Sequence, residues 1–142
     1  MIEVRPARDE QEVVAALDLR HDVFCMEQGV SLADERDGRD GEALHLVALE
    51  DGVVTGTCRL LLDGTTVKLA RMAVARSRRG LGLARALLGE ADAQARALGA
   101  QRIALSAQLD ARAVYERAGY EAYGEVFVDA GIEHVMMARA LA

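Results

Sequence analysis

Apolar and polar positions change rhythm several times along the chain, and each change marks an element. Residues 2–7, IEVRPA, alternate as a short strand, with the only proline, Pro6, near its end. Asp9 suits a helix N-cap, and Val13, Val14, Leu17, Val23 and Phe24 then mark one apolar face through about residue 27. A polar, glycine-bearing stretch, GVSLADERDGRDGE (29–42), reads as a loop. The rhythm then becomes strand-like in three runs, 43–50, 53–62 and 65–74, joined by Asp51-Gly52 and Asp63-Gly64. Asp-Gly between strand patterns predicts hairpins, because both turn positions take positive φ. Ala84, Leu87, Leu88, Ala91, Ala95 and Leu98 recur at helical spacing, and Gly99 is a natural stop. A buried strand at 101–107, a short helix at 110–119 capped by Asp110 and closed by Gly119, and strands at 120–128 and 132–140 around Asp129-Ala130-Gly131 complete the chain.

The order is β-α-βββ-α-β-α-β-β. The strand–helix–strand piece from 65 to 107 needs a crossover and therefore parallel pairing. The pattern predicts an α/β fold: one mixed, mostly antiparallel sheet with helices on both faces.

Composition narrows the function classes. The 142 residues suit a single domain, 1–142, and 51% apolar with 28% charged residues is an ordinary globular mixture. A net charge of −6 argues against general binding to nucleic acid or acidic membranes. No apolar run approaches the ~18 residues of a membrane span, and the first residues lack a signal-peptide core, so a cytoplasmic protein is expected. Cys25 and Cys58 have no zinc-site spacing and no visible activating partner; they read as reduced, buried thiols, with a disulfide between them as the alternative.

The loop carries Asp34, Glu35, Asp37, Asp40 and Glu42, but an EF-hand register puts Ala33 or Arg36 where the first carboxylate belongs, so no metal is expected. Two readings stay open there. The acids are solvated and balanced by Arg36 and Arg39, or they form a rim that draws in a cationic amine.

RSRRGLGLARALLG (76–89) gathers Arg76, Arg78, Arg79 and Arg85 with no acid, and sets Gly80 and Gly82 at a helix entrance. Unpaired helix N–H groups, the helix dipole and a glycine backbone together suit a phosphate. A Walker A loop is ruled out by the missing lysine and hydroxyl residue. A dinucleotide fingerprint is disfavoured because Arg85 stands where its third glycine belongs. A glycine-softened helix entrance with solvated arginines is the alternative.

The pattern R-x-x-G-x-A at Arg79, Gly82 and Ala84, inside RMAVARSRRGLGLARALL (71–88), resembles the acetyl-CoA motif of the GNAT superfamily of acetyltransferases. AVYERAGY (113–120) resembles that superfamily's second signature. More narrowly, LRHDVFCMEQGVSLADERDGRD (19–40), His45, SAQ (106–108) and GEVFVDAGIEHVMM (124–137) resemble its ElaA/YjcF-like subgroup, so the likeness spans nearly the whole chain.

The resemblance implies acetyl-CoA as co-substrate and a sheet that splays between 65–74 and 102–107. Backbone at Met72, Ala73 and Val74 would pair with the pantetheine arm. Arg79, Gly80, Leu81, Gly82, Leu83 and Ala84 would hold the pyrophosphate, and Gln108 stands where many relatives carry asparagine. Acetyl transfer needs a neutral amine, a donor for the oxyanion and a proton for the departing thiolate. By resemblance Tyr115 supplies that proton, and an amide near Val74 serves the oxyanion. Glu27 and His134 are the candidate bases, with His45 behind them, unless water or a neutral amine removes the need for one.

Direct attack by a primary amine in a ternary complex is preferred over an acyl-enzyme. The acceptor is a small molecule or peptide, not nucleic acid or membrane, and a homodimer through the terminal strands is open. The rival readings are an acyl-homoserine lactone synthase-like enzyme, whose typical tryptophans are absent here, and a non-catalytic coenzyme A sensor.

Overall fold

A computed structural model describes residues 1–141. Strand β1 (Ile2–Pro6) leads to α1 (Glu10–Arg20), which runs straight on as a π-helical segment, His21–Glu27. A short α2 (Leu32–Glu35) precedes the meander β2 (Leu44–Glu50), β3 (Val53–Asp63) and β4 (Thr66–Val74). Then come α3 (Leu83–Ala97), β5 (Arg102–Gln108), α4 (Arg112–Arg117), whose N-cap is Ala111 and not Asp110, and the hairpin β6 (Glu121–Asp129) and β7 (Ile132–Ala140). The strands form one sheet in the order β1-β2-β3-β4-β5-β7-β6, parallel only between β4 and β5.

Alternation along β2 shows the layering. Leu46 and Ala48 join the large core beneath α3 and α4, whereas Val47 and Leu49 pack with Ala16 of α1. Neighbouring strand residues point to opposite faces, so α1 and α3 cover opposite sides of the sheet, as the pattern predicts. The Asp51-Gly52 turn has both residues at positive φ, 50° and 82°. The second turn is displaced by one residue. Asp63 still pairs with Thr66, and Gly64, at φ 62°, opens a Gly64-Thr65 turn. A glycine in first place is what a II′ turn needs.

Two expectations are corrected. The buried side of the first helix is Ala16, Leu19, Arg20 and Val23, while Val14 is exposed. That face keeps ordinary helical spacing, but one of its positions is an arginine, which apolar periodicity does not count; the i→i+5 bond from Gln28 N–H to the Val23 C=O, 3.2 Å, comes only after it.

The acidic loop is solvated in part: Asp34, Asp37 and Glu42 are exposed, and Arg39 Nε donates to Glu42 Oε1 at 2.8 Å, but Asp40 is half-buried and Glu35 is enclosed. Glu35 is 2% exposed and Arg20 1%. Arg20 Nη2 donates to Glu35 Oε2 at 2.7 Å and its Nη1 to Asp40 Oδ1 at 2.7 Å. Buried Arg59 donates through Nη1 to Asp37 Oδ1 at 2.8 Å and to Asp40 Oδ1 at 3.1 Å. His45 Nε2–H donates to the Asp40 carbonyl at 2.9 Å, which makes this histidine a strut of the same loop. Charges buried without water need such partners, so the loop is pinned over β3 and β4.

Both thiols are free; Cys58 is fully enclosed, and burial pushes its thiol up to about 12, while Cys25 is half-buried. Among the described residues no helix is long and apolar enough to cross a membrane.

Candidate active site

The site begins with a surplus residue in β4. Thr57 of β3 pairs with Ala73 and Arg59 with Ala70, so Arg71 and Met72 together face Cys58 alone. Arg71 takes a left-handed φ of 58° to make this bulge. The extra residue flips alternation. Val67 and Leu69 pack under α3, while Ala73 packs with Leu19 and Val23 on the other face.

Beyond the bulge β4 leaves β5. Their parallel ladder ends at Leu69 with Leu105, while β4 stays with β3 as far as Val74 and β5 stays with β7 as far as Gln108. The strands diverge into a cleft of about 1390 Å³ whose walls include Met72, Val74, Gln108, Tyr115 and His134. The splay expected between the two strands is present.

Gly80, Gly82, Leu83 and Ala84 border one end of the cleft; the Leu81 side chain is 60% exposed and lies off its walls. Gly80 and Gly82 have φ of 80° and 83°, a region that costs any residue with a Cβ. Gly82 caps α3, which starts at Leu83, one residue before the first position of the periodic pattern. Ala86 N–H is the amide that closes onto the Gly82 carbonyl, at 3.0 Å, and the amides before it in the first turn have no intrahelical acceptor.

Arg79 does not float in solvent. Its Nη1 and Nη2 donate to the two carboxylate oxygens of Glu27 at 2.9 Å each, and Nε donates to the Val74 carbonyl at 3.1 Å. The Arg79 hydrogen bonds hold the Glu27 carboxyl below the usual glutamate range. Glu27 is therefore a committed anion outside the cleft walls, the opposite of the raised proton affinity that a base needs. Its neighbour Gln28 exchanges amide hydrogen bonds with Gln108, at 2.8 and 3.3 Å.

Tyr115, on α4, is 7% exposed and meets Tyr120 edge-on, with ring centroids 6.1 Å apart. Its hydroxyl has no protein hydrogen-bond partner among the described residues, and burial raises its pKa above the usual tyrosine value. His134, on β7 opposite Gln108, stacks on Phe127. Its Nδ1 lies 2.7 Å from the Ile132 carbonyl, which can only accept, so Nδ1 carries a proton and, in the neutral ring, Nε2 holds the lone pair.

Sequence reasoning misses Arg71, Gln28 and the enclosure of Glu35. Arg71 Nε donates to Glu35 Oε2 at 3.0 Å and Nη2 to the Glu35 carbonyl at 3.0 Å, tying the bulge to the loop. The pattern 65–74 gives no local sign of a bulge. The density of acids in the loop, against arginines in α1, β3 and β4, is the signal that could have been used.

Comparison with known proteins agrees with this geometry. A family model described as an acetyltransferase (GNAT) domain matches residues 7–141. The chain is 31% identical over 132 residues to YjcF of Bacillus subtilis, an uncharacterized N-acetyltransferase, covering 92% of this chain and 94% of that one. The crystal structure of an acyl-CoA N-acyltransferase from Pseudomonas aeruginosa aligns with a TM-score of 0.86 at 32% identity, over 99% of this chain and 100% of the other. That of Escherichia coli ElaA aligns with a TM-score of 0.86 at 25% identity, over 98% and 99%.

Proposed function

The chain belongs to the GNAT acetyltransferases, and on that premise we propose that it transfers the acetyl group of acetyl-CoA directly to a primary amine while both are bound. The observation that carries this is the opening between β4 and β5 beside the glycine entrance of α3. An extended arm with a diphosphate at one end fits such a place: unpaired strand edges along the arm, unpaired helix amides at its anionic end. The name of the Pseudomonas relative, an acyl-CoA N-acyltransferase, supports the donor class.

Bound acetyl-CoA supplies a thioester carbonyl for the amine to attack. The chain does the rest. Met72, Ala73 and Val74 offer backbone to the arm, and an amide near Val74 is the donor for charge developing on the carbonyl oxygen. Gly80 to Ala84 hold the diphosphate, with Arg79 at its side. Buried Tyr115 keeps its proton at neutral pH and yields it as negative charge grows on the departing sulfur. His134 Nε2 is the lone pair best placed to take the amine's proton. Glu27 orients Arg79 instead of acting as a base. Gln108, pinned by Gln28, keeps a spare amide hydrogen for a polar contact.

The test is thiol release. The full chain, acetyl-CoA and a panel of primary amines should liberate free coenzyme A. Protection of the fold by acetyl-CoA with no thiol release on any amine would favour the sensor reading. Tyr115→Phe should still bind acetyl-CoA while kcat falls about 10²-fold or more. Unchanged turnover, under conditions where chemistry limits the rate, removes Tyr115 from the role.

A further inference from the structure

Positive charge around the cleft exceeds what the diphosphate grip uses. In this acidic chain most arginines are paired with an acid, yet Arg85 in the first turn of α3 and Arg117 at the end of α4 have no ion-pair partner among the described residues. Both border the cleft, and both also border a second pocket of about 200 Å³ between α3 and α4.

Arg139 of β7 forms a further side of that pocket, and Leu88 and Gly89, one turn further along α3, also line it. Arg139 is fixed in place. Its Nη1 donates to Asp92 of α3 at 3.0 Å, and its Nε lies 3.4 Å from where a Cβ on Gly119 would stand. The bare backbone of Gly119, at φ 92°, leaves room for that guanidinium.

We propose that Arg85 and Arg117, backed by Arg139, form a phosphomonoester site that receives the 3′-phosphate of the coenzyme. The inference rests on the acetyl-CoA reading above. A nucleotide whose diphosphate sits on Gly80 to Ala84 carries its ribose outward past Arg85, within about one helical turn, or about 5.4 Å, of that grip. A phosphomonoester is close to a dianion at neutral pH. Two forked donors from separate elements, without acids of their own, suit it better than a diester or a neutral hydroxyl. The consequence is discrimination: the enzyme tells acetyl-CoA from its 3′-dephospho form.

Calorimetry on the full chain tests this with coenzyme A, 3′-dephospho-coenzyme A and inorganic phosphate. The wild type should bind coenzyme A about tenfold tighter than the dephospho form, the scale of one charge-assisted contact. Arg85→Gln/Arg117→Gln should bring the two within about twofold by weakening coenzyme A alone. The single variants should each lose part of the preference, and melting temperatures check that every variant folds. Equal wild-type affinities overturn the site, as does a preference that survives both substitutions. Inorganic phosphate that binds through the two arginines while leaving the coenzyme preference unchanged also overturns the assignment, because the site would then serve a free anion. Failure of both coenzyme forms to bind would instead bring down the acetyl-CoA reading itself.

Discussion

Arg71 holds a backbone geometry that its residue type disfavours. A left-handed φ costs a residue with a Cβ about 1 kcal/mol or more, and here bonds to buried Glu35 offset that cost. Arg71→Gly removes the bonds and the strain together; Arg71→Ala removes the bonds and keeps the strain. Thermal melting should therefore place the alanine variant below the glycine variant by about 1 kcal/mol. The reverse order would mean that the bulge is not strained.

The acids of the network make a second prediction. Asp37 is held well below the usual carboxylate range, chiefly by the guanidinium of Arg59. Asp40 is lowered as well: burial opposes its ionisation, and Arg20 and then Arg59 outweigh that. A carboxyl whose folded pKa is depressed contributes stability that is complete above its unfolded value, about 3.9, and is lost as pH falls toward the folded one. The melting temperature should hold from neutrality to about pH 5 and drop steeply below about pH 4. Asp37→Asn should start lower and show a shallower acid limb. Parallel limbs would remove Asp37 from the linkage.

Elements differ in how well their sequences announce them. The Asp51-Gly52 hairpin and α3 are legible because a turn dipeptide and a helical stripe are local signals. Leu83, Leu87, Leu88, Ala91 and Ala95 are all buried. The π-helical segment and the β4 bulge are not legible, since each inserts a residue without changing composition. The glycine entrance of α3 lies between these cases: its glycines are a local signal, yet the salt bridge that occupies Arg79 comes from Glu27, far away in sequence. Gly82→Ala is informative here. Nothing lies within 4 Å of a Cβ at this position, so packing is not disturbed. The left-handed φ alone should cost about 1 kcal/mol, and the new methyl group should raise the KM for acetyl-CoA more than it lowers kcat. A lowered kcat at constant KM would place the coenzyme elsewhere.

At the scale of the molecule, the site is assembled from parts that only the tertiary fold unites: the far ends of β4 and β5, the start of α3, Tyr115 from α4 and His134 from β7. The sequence motifs name most of the wall proposed for the cofactor, because the chemistry proposed there is backbone chemistry that glycines reveal. They do not separate Glu27 from His134 as base, because proton affinity depends on neighbours brought together by folding. One ligand touching so many elements should stabilise them jointly. At acetyl-CoA concentrations 100 times the Kd the gain is about 2.7 kcal/mol, read as a rise in melting temperature, with a single transition throughout. No rise would mean that the ligand does not engage the native cleft.

The odd residue in β4 has a further implication. With Arg71 present, Val67 and Leu69 face one layer of helices and Ala73 the other, so the strand's tail is out of phase with its start. Deleting that one position would bring the tail back into phase. Ala73 would swing toward α3, Leu19 and Val23 would lose their partner, and β4 could stay zipped to β5. The berth proposed for the acetyl donor thus depends on a counting error of one, kept in place by the carboxylate of Glu35.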